Sequence, residues 1–308
     1  MLVGRTGANE LKAGLALLIA RSSNKTLSQN REDPNVFLDW RRQSDAGEFG
    51  LSAKYDEVAT RIAEIDNTGP GFADSTRASR TMSGSWSKAL SERSTLSADG
   101  SYEGVSYKGG TYIDYSTRSG DMMFSYAWSE RSTPFVKISY ADYEPAGGNL
   151  LSRFANVINA TLGWNWKVSD YLEGTLQAVE SKVSDAKVGT QGMASVQYTG
   201  QRTGLVLNAG RQFSPSGLGG FVTVDQAKGS WSYALNERSK TGIDLGWQNN
   251  HFVTDIINRT TGAWLQHDLN SFWGARTYYL HRIIEQGGVG GASSNILGIA
   301  LVYTHPDF

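Results

Sequence analysis

Four histidines are the first residues to test for chemistry in this chain: His251, His267, His281 and His305. None falls in a metal-spaced motif such as H-E-x-x-H, in which two imidazoles share one helix face. No G-x-S-x-G elbow marks a serine for acyl transfer. Cysteine is absent, which removes thiol nucleophiles, thiolate metal sites and any disulfide framework. The glycine clusters 217–220 and 287–291 lack the Lys-Ser/Thr of a phosphate loop and read as hairpin loops. The expectation is therefore no catalytic, cofactor or metal residue, and a protein that is not an enzyme.

A different set of polar residues does carry a pattern. Asp99, Glu103, Lys137, Glu173, Gln177, Gln191, Gln197, Asn208, Gln226, Lys228, Asp244, Gln248, Arg276 and Arg282 fall on the face opposite the apolar one. Together they would give one face of amides and charges of both signs. Such a wall suits neutral, hydroxyl-rich solutes, whereas a strongly ion-selective pore would show one dominant sign. The competing reading is a set of hydrogen bonds and ion pairs that only support the wall.

The elements that would position them are strands. From 189 to 249, Met193, Leu205, Leu207, Trp231, Tyr233, Ile243, Leu245 and Trp247 fall in runs of period two, broken at polar turns. Period two sends alternate residues to opposite faces of a strand, and successive runs read as antiparallel hairpins. The same pattern starts at Glu10 and ends at Tyr303. The run 11–20 (LKAGLALLIA) reads as a strand rather than as the core of a signal peptide, because Glu10 and Lys12 fit a signal poorly. A secretion signal removed ahead of Met1 is expected. The stretch 22–34 reads as a polar loop, and 55–65 as the end of a strand or a short amphipathic helix.

Composition agrees. Formal charges nearly cancel, at 29 basic and 30 acidic, which argues against nucleic acid as a partner. Proline is scarce at 6, as long hydrogen-bonded strands require, while Gly (35), Tyr (14) and Trp (9) are plentiful. No apolar run is long enough for a transmembrane helix.

An aromatic residue recurs just before each short polar turn: Trp86, Trp128, Trp166, Tyr198 and Tyr233. The unit reads as two long strands, with short turns and longer loops alternating. This is the pattern of an all-β, closed antiparallel transmembrane barrel, a single domain over 1–308, with about sixteen strands (fourteen to eighteen) and an even count if both termini share one side. The five aromatics would form an outward girdle at the headgroups of the outer-membrane lipids. Closure follows because an open edge in lipid leaves N–H and C=O groups unpaired. A soluble propeller or sandwich is the alternative; uniform strand length and alternating loop length count against it. Only the stretch 60–76 looks long enough to fold inward, where its acidic, Gly/Pro-containing sequence suits a constriction.

The segments Gln201-Arg202-Thr203-Gly204-Leu205, Asn208-Ala209-Gly210-Arg211-Gln212-Phe213, Phe221-Val222-Thr223-Val224-Asp225 and Leu235-Asn236-Glu237-Arg238 resemble the outer-membrane β-barrel (β-barrel porin 2-like) families associated with exopolysaccharide export clusters. That resemblance implies a bacterial outer-membrane location and periplasmic export components as partners. Phe308 is similar to the C-terminal aromatic read by the barrel-assembly machinery, although Pro306 interrupts the ladder and the last apolar series is out of phase with it. Three functions stay open: a conduit for polysaccharide or other polar solutes, a plugged barrel that scaffolds a partner, and an outer-membrane hydrolase.

Overall fold

The computed structural model describes residues 2–20, 31–60, 75–109, 112–147, 154–184, 189–251, 255–287 and 290–303. Its named elements are all strands. The first six are β1 (Leu2–Thr6), β2 (Asn9–Ala20), β3 (Arg31–Ser44), β4 (Gly47–Ala59), β5 (Thr76–Ala89) and β6 (Ser94–Lys108). Then come β7 (Tyr115–Tyr126), β8 (Ser132–Pro145), β9 (Ala155–Lys167), β10 (Leu172–Val183), β11 (Gly189–Thr199) and β12 (Thr203–Pro215). The last are β13 (Phe221–Asn236), β14 (Ser239–His251), β15 (Asp255–Asp268), β16 (Trp273–Gln286) and β17 (Gly290–Tyr303).

Each strand pairs antiparallel with the next, from β1–β2 through to β16–β17. The result is one 17-stranded meander. The strand beyond the central expectation of sixteen is β1, five residues long and paired with the first part of β2, from Leu2↔Ala13 to Thr6↔Asn9. Its turn is tight: Gly7 takes φ +57°, a conformation open to glycine because it has no Cβ. One boundary differs from the sequence reading: Pro34 lies inside β3, opposite Leu17, so the strand begins ahead of the expected end of the loop. Tyr55 to Ala59 take the strand alternative and belong to β4, where Tyr55 has a partner on each side, Val36 and Arg80.

The register aligns the apolar phases of neighbouring strands. Leu15 faces Val36, Leu51 faces Gly84, Met122 faces Ile138, and Leu245 follows Gly229. The resulting face is exposed: Ile138 shows 66% of its surface, and Leu297 and Ile299 each show 76%. In water so wide an apolar patch would be a liability; facing lipid it is what a spanning strand requires. Towards the long-loop end this face changes to ion pairs, among them Arg118 with Glu144 (3.2 Å), Arg211 with Asp225 (2.5 Å) and Arg259 with Glu285 (2.5 Å).

Glycines opposite aromatic rings let the strands approach closely. Phe135 covers Gly163, where an added Cβ would lie 2.1 Å from the ring, and Trp166 covers Gly174 at 2.7 Å. A ring laid over a cross-strand glycine restores the packing that a missing side chain loses. The sheet curls onto its polar face, because the turn between β12 and β13 touches β8, although β9, β10 and β11 separate them along the sheet.

Candidate functional site: the polar face and its closed end

All fourteen polar residues named from the sequence have the parity opposite to the apolar series. The register sets Asn208 beside Lys228, Gln226 beside Gln248, and Glu173 beside Gln197. Glu103 accepts a hydrogen bond from Arg77 at 3.0 Å. The Asp244 carboxylate accepts one from Ser230 at 2.6 Å. Arg276 stacks over Trp264, 4.6 Å from the ring centroid, a favourable place for a cation. Asp99 lies opposite Asp121 on β7, Gln177 opposite Met193, Lys137 opposite Thr161, and Arg282 opposite Thr260.

These residues do not form one cluster. They spread over β6, β8, β10 to β14 and β16, as a wall does. Nor do all of them face open space. Gln191 is buried, and Gln248, only 4% exposed, donates to Asn250 at 2.8 Å. Near the short turns the polar face is open. A recess of ≈ 500 Å³ there is lined by Thr133, Asn165, Lys167, Glu173, Thr175, Ser195 and Gln197, among others.

The opposite end is packed. Val105, Tyr107, Tyr112, Tyr115 and Tyr143 form a buried cluster, with Leu218 and Phe221 against it. Tyr107 stacks on Tyr112 (5.0 Å) and Tyr115 on Tyr143 (4.9 Å), while Phe221 meets Tyr143 edge-on at 6.1 Å. Offset and edge-on rings are the arrangements that their quadrupoles favour. Leu218 and Phe221 arrive from the far side, in and just after the β12–β13 turn. The turn is built by Ser216: its N–H donates to the Gly220 carbonyl (3.0 Å), and its hydroxyl accepts from the Leu218 N–H (3.1 Å). Gly219 and Gly220 both take positive φ to close it. Two hydrogen bonds then tie it across: the Tyr143 hydroxyl donates to the Ser216 carbonyl at 3.0 Å, and the Ile113 N–H to the Gly217 carbonyl at 2.7 Å.

Sequence reasoning missed this cluster, although it left a trace. Tyr107, Tyr115 and Tyr143 are aromatic residues in the polar phase of their strands, next to long loops. The inward segment expected at 60–76 lies largely outside the described residues, so the segment seen to fold inward is 216–220.

The five aromatics sit beside short turns in the apolar phase. Trp86 faces Phe49 across the ladder, Trp166 faces Gly174, Tyr198 faces Leu205, and Tyr233 faces Thr203. Trp128 lies two residues beyond the end of β7 and stacks on Trp164 (6.5 Å); Tyr233 stacks on Trp231 (6.2 Å). Trp164 and Trp231 thus extend the aromatic row at this end.

The described histidines are held in local bonds. His251 contacts Asp225 (2.8 Å) and Asp255 (2.9 Å), His267 contacts Ser239 (2.9 Å), and His281 contacts Asn295 (2.8 Å). Among the described residues no group of three or more acids or histidines could hold a metal ion. His305, Pro306 and Phe308 lie outside the described residues.

No family model matches this chain. No curated protein matches it either. Solved structures do. The FrpB iron transporter from Neisseria meningitidis superposes with a TM-score of 0.53 at 9% identity, over 92% of this chain and 59% of that one. The ferric-catecholate import receptor Fiu from E. coli K12 gives 0.51 at 8% identity, over 98% of this chain and 71% of that one. The siderophore receptor PirA from Pseudomonas aeruginosa gives 0.50 at 10%, over 98% and 66%. The chain therefore spans about three fifths of the FrpB structure. Likeness at such low identity speaks to architecture alone, and the architecture of this all-β chain is that of the bacterial outer-membrane β-barrels.

Proposed function

We propose that this chain forms an outer-membrane passage for neutral, hydroxyl-rich solutes, saccharides above all, either by porin-like diffusion or as the outer conduit of a polysaccharide export system. One observation carries the reading: the polar face carries charges of both signs with amides between them. Among the residues read from the sequence the acids are Asp99, Glu103, Glu173 and Asp244 and the bases Lys137, Lys228, Arg276 and Arg282, and Asp121, Arg77 and Lys167 share that face. Between them stand Gln177, Gln197, Asn208 and Gln226, whose amides can donate and accept by turns. A sugar crossing such a wall exchanges water hydrogen bonds for amide ones, with no charge to desolvate.

The outer-membrane lipids are the surroundings that the exposed apolar face requires. The test is reconstitution into liposomes, with swelling measured in isotonic neutral sugars and ion selectivity measured in a planar bilayer. Sugar entry with a reversal potential near zero is the expected result. A folded barrel that passes neither sugar nor ions would sink the proposal.

That negative result would favour a second reading, a plugged barrel that scaffolds a partner. The packed tyrosine cluster at the long-loop end favours it, since it fills part of the mouth.

A further inference from the structure

We infer that the turn 216–220 is a latch: docked on the tyrosine cluster it closes the long-loop mouth, and released it opens the passage. This inference rests on the passage proposed above and concerns its regulation.

The geometry has three parts. The first is span. The turn belongs to β12 and β13, while its contacts are on β8, on Ile113 and on the tyrosines of β6 and β7. A segment bonded across the span of β9, β10 and β11 occupies the polar side between β8 and β12.

The second is the type of contact. The wall's own strands are joined by long ladders; β12 and β13 share thirteen register pairs, from Thr203↔Tyr233 to Pro215↔Phe221. The latch is held by the Tyr143–Ser216 and Ile113–Gly217 hydrogen bonds and by the apolar contacts of Leu218 and Phe221. Contacts of this kind lie outside the β12–β13 ladder, so they can open without disturbing it.

The third is fit. Gly217 lies against Tyr107, where an added Cβ would be 2.5 Å from the hydroxyl. Only a residue without a side chain seats there without moving the ring. The turn's carbonyls point at the wall, and its flanking residues Pro215 and Phe221 remain paired to each other. The hinge is thus confined to five residues, two of them glycines at positive φ.

The absence of cysteine makes the test clean. Ile113→Cys with Leu218→Cys sets two thiols beside the Ile113–Gly217 hydrogen bond, and loss of free thiol on oxidation shows that the bridge has formed. A second variant removes the latch: residues 216–220 are replaced by Asn-Gly, which closes the Pro215–Phe221 pair as a two-residue hairpin. Folding of both is checked by heat-modifiable migration. In planar bilayers the oxidised double-cysteine protein should be silent and recover conductance on reduction. The latchless protein should conduct steadily, with single-channel steps several-fold larger than the unmodified protein. Equal conductance in oxidised, reduced, latchless and unmodified forms overturns the latch and leaves the passage standing. Silence in every folded form, the latchless one included, overturns both.

Discussion

The Tyr143 hydroxyl donates to the Ser216 carbonyl at 3.0 Å, with Tyr143 only 1% exposed and Ser216 wholly buried. The two residues are 73 positions apart, on β8 and on the turn after β12. The bond joins two parts of the sheet that the strand ladders leave apart, with β9, β10 and β11 between them.

Tyr143→Phe removes that donor and keeps the ring. The Ser216 carbonyl retains the Gly219 N–H at 3.1 Å, so it does not become an orphan. The expected loss is about 1 kcal/mol, read as a lowered urea midpoint for unfolding from lipid vesicles. Tyr143→Ala should cost more, about 3–5 kcal/mol, through the cavity it leaves beside Tyr115 and Phe221. Equal effects of the two substitutions would mean that ring packing contributes nothing.

Gly174→Val sets a branched side chain where the Trp166 ring now lies, 2.7 Å from the would-be Cβ. The tryptophan must swing away from the wall. Its fluorescence should shift, and stability should fall by about 1–3 kcal/mol from the forced repacking. The neighbouring Gly192→Val, whose added Cβ meets nothing closer than the Gln177 carbonyl at 3.5 Å, should cost less.

Most of the wall was legible in the sequence because period two survives where one face is in lipid and the other in water. Leu205, Leu207, Ile243 and Leu245 fall in phase, and the register bears out the facing of those strands. The closed end was not legible. Tyr107, Tyr115 and Tyr143 obey the wall's alternation yet carry aromatic rings on the polar side, for a reason that lies in a turn far along the chain. The turn itself reads as an ordinary Ser/Pro/Gly loop; nothing local says where its carbonyls are bonded. The half-strand β1 escaped notice for a simpler reason: five residues are too few to show a period.

Lys228→Glu reverses a basic charge of the polar face without touching the apolar one. Lys228 is exposed and lies opposite Asn208. The passage should become cation-preferring, and the reversal potential in a salt gradient should move to the cation side. The shift should shrink at high ionic strength, because screening shortens the reach of an exposed charge. An unchanged reversal potential in a conducting protein would place Lys228 away from the ion path.

Ile138 lies in the middle of the apolar face, between Met122 and Ala160, and exposes 66% of its surface. Ile138→Arg would bring a guanidinium into hydrocarbon. The cost on the lipid face of a barrel is about 2–4 kcal/mol near the midplane and falls towards zero at the interfaces. Ile299→Arg, on the exposed face of β17, should cost a similar amount. By contrast Glu144→Arg, beyond the apolar band on the same face of β8, should cost little beyond its ion pair with Arg118. Both outcomes can be read from urea unfolding in vesicles of matched thickness. The ordering matters more than the sizes, since a soluble sheet exposing the same residues would accept arginine at position 138 more readily than isoleucine.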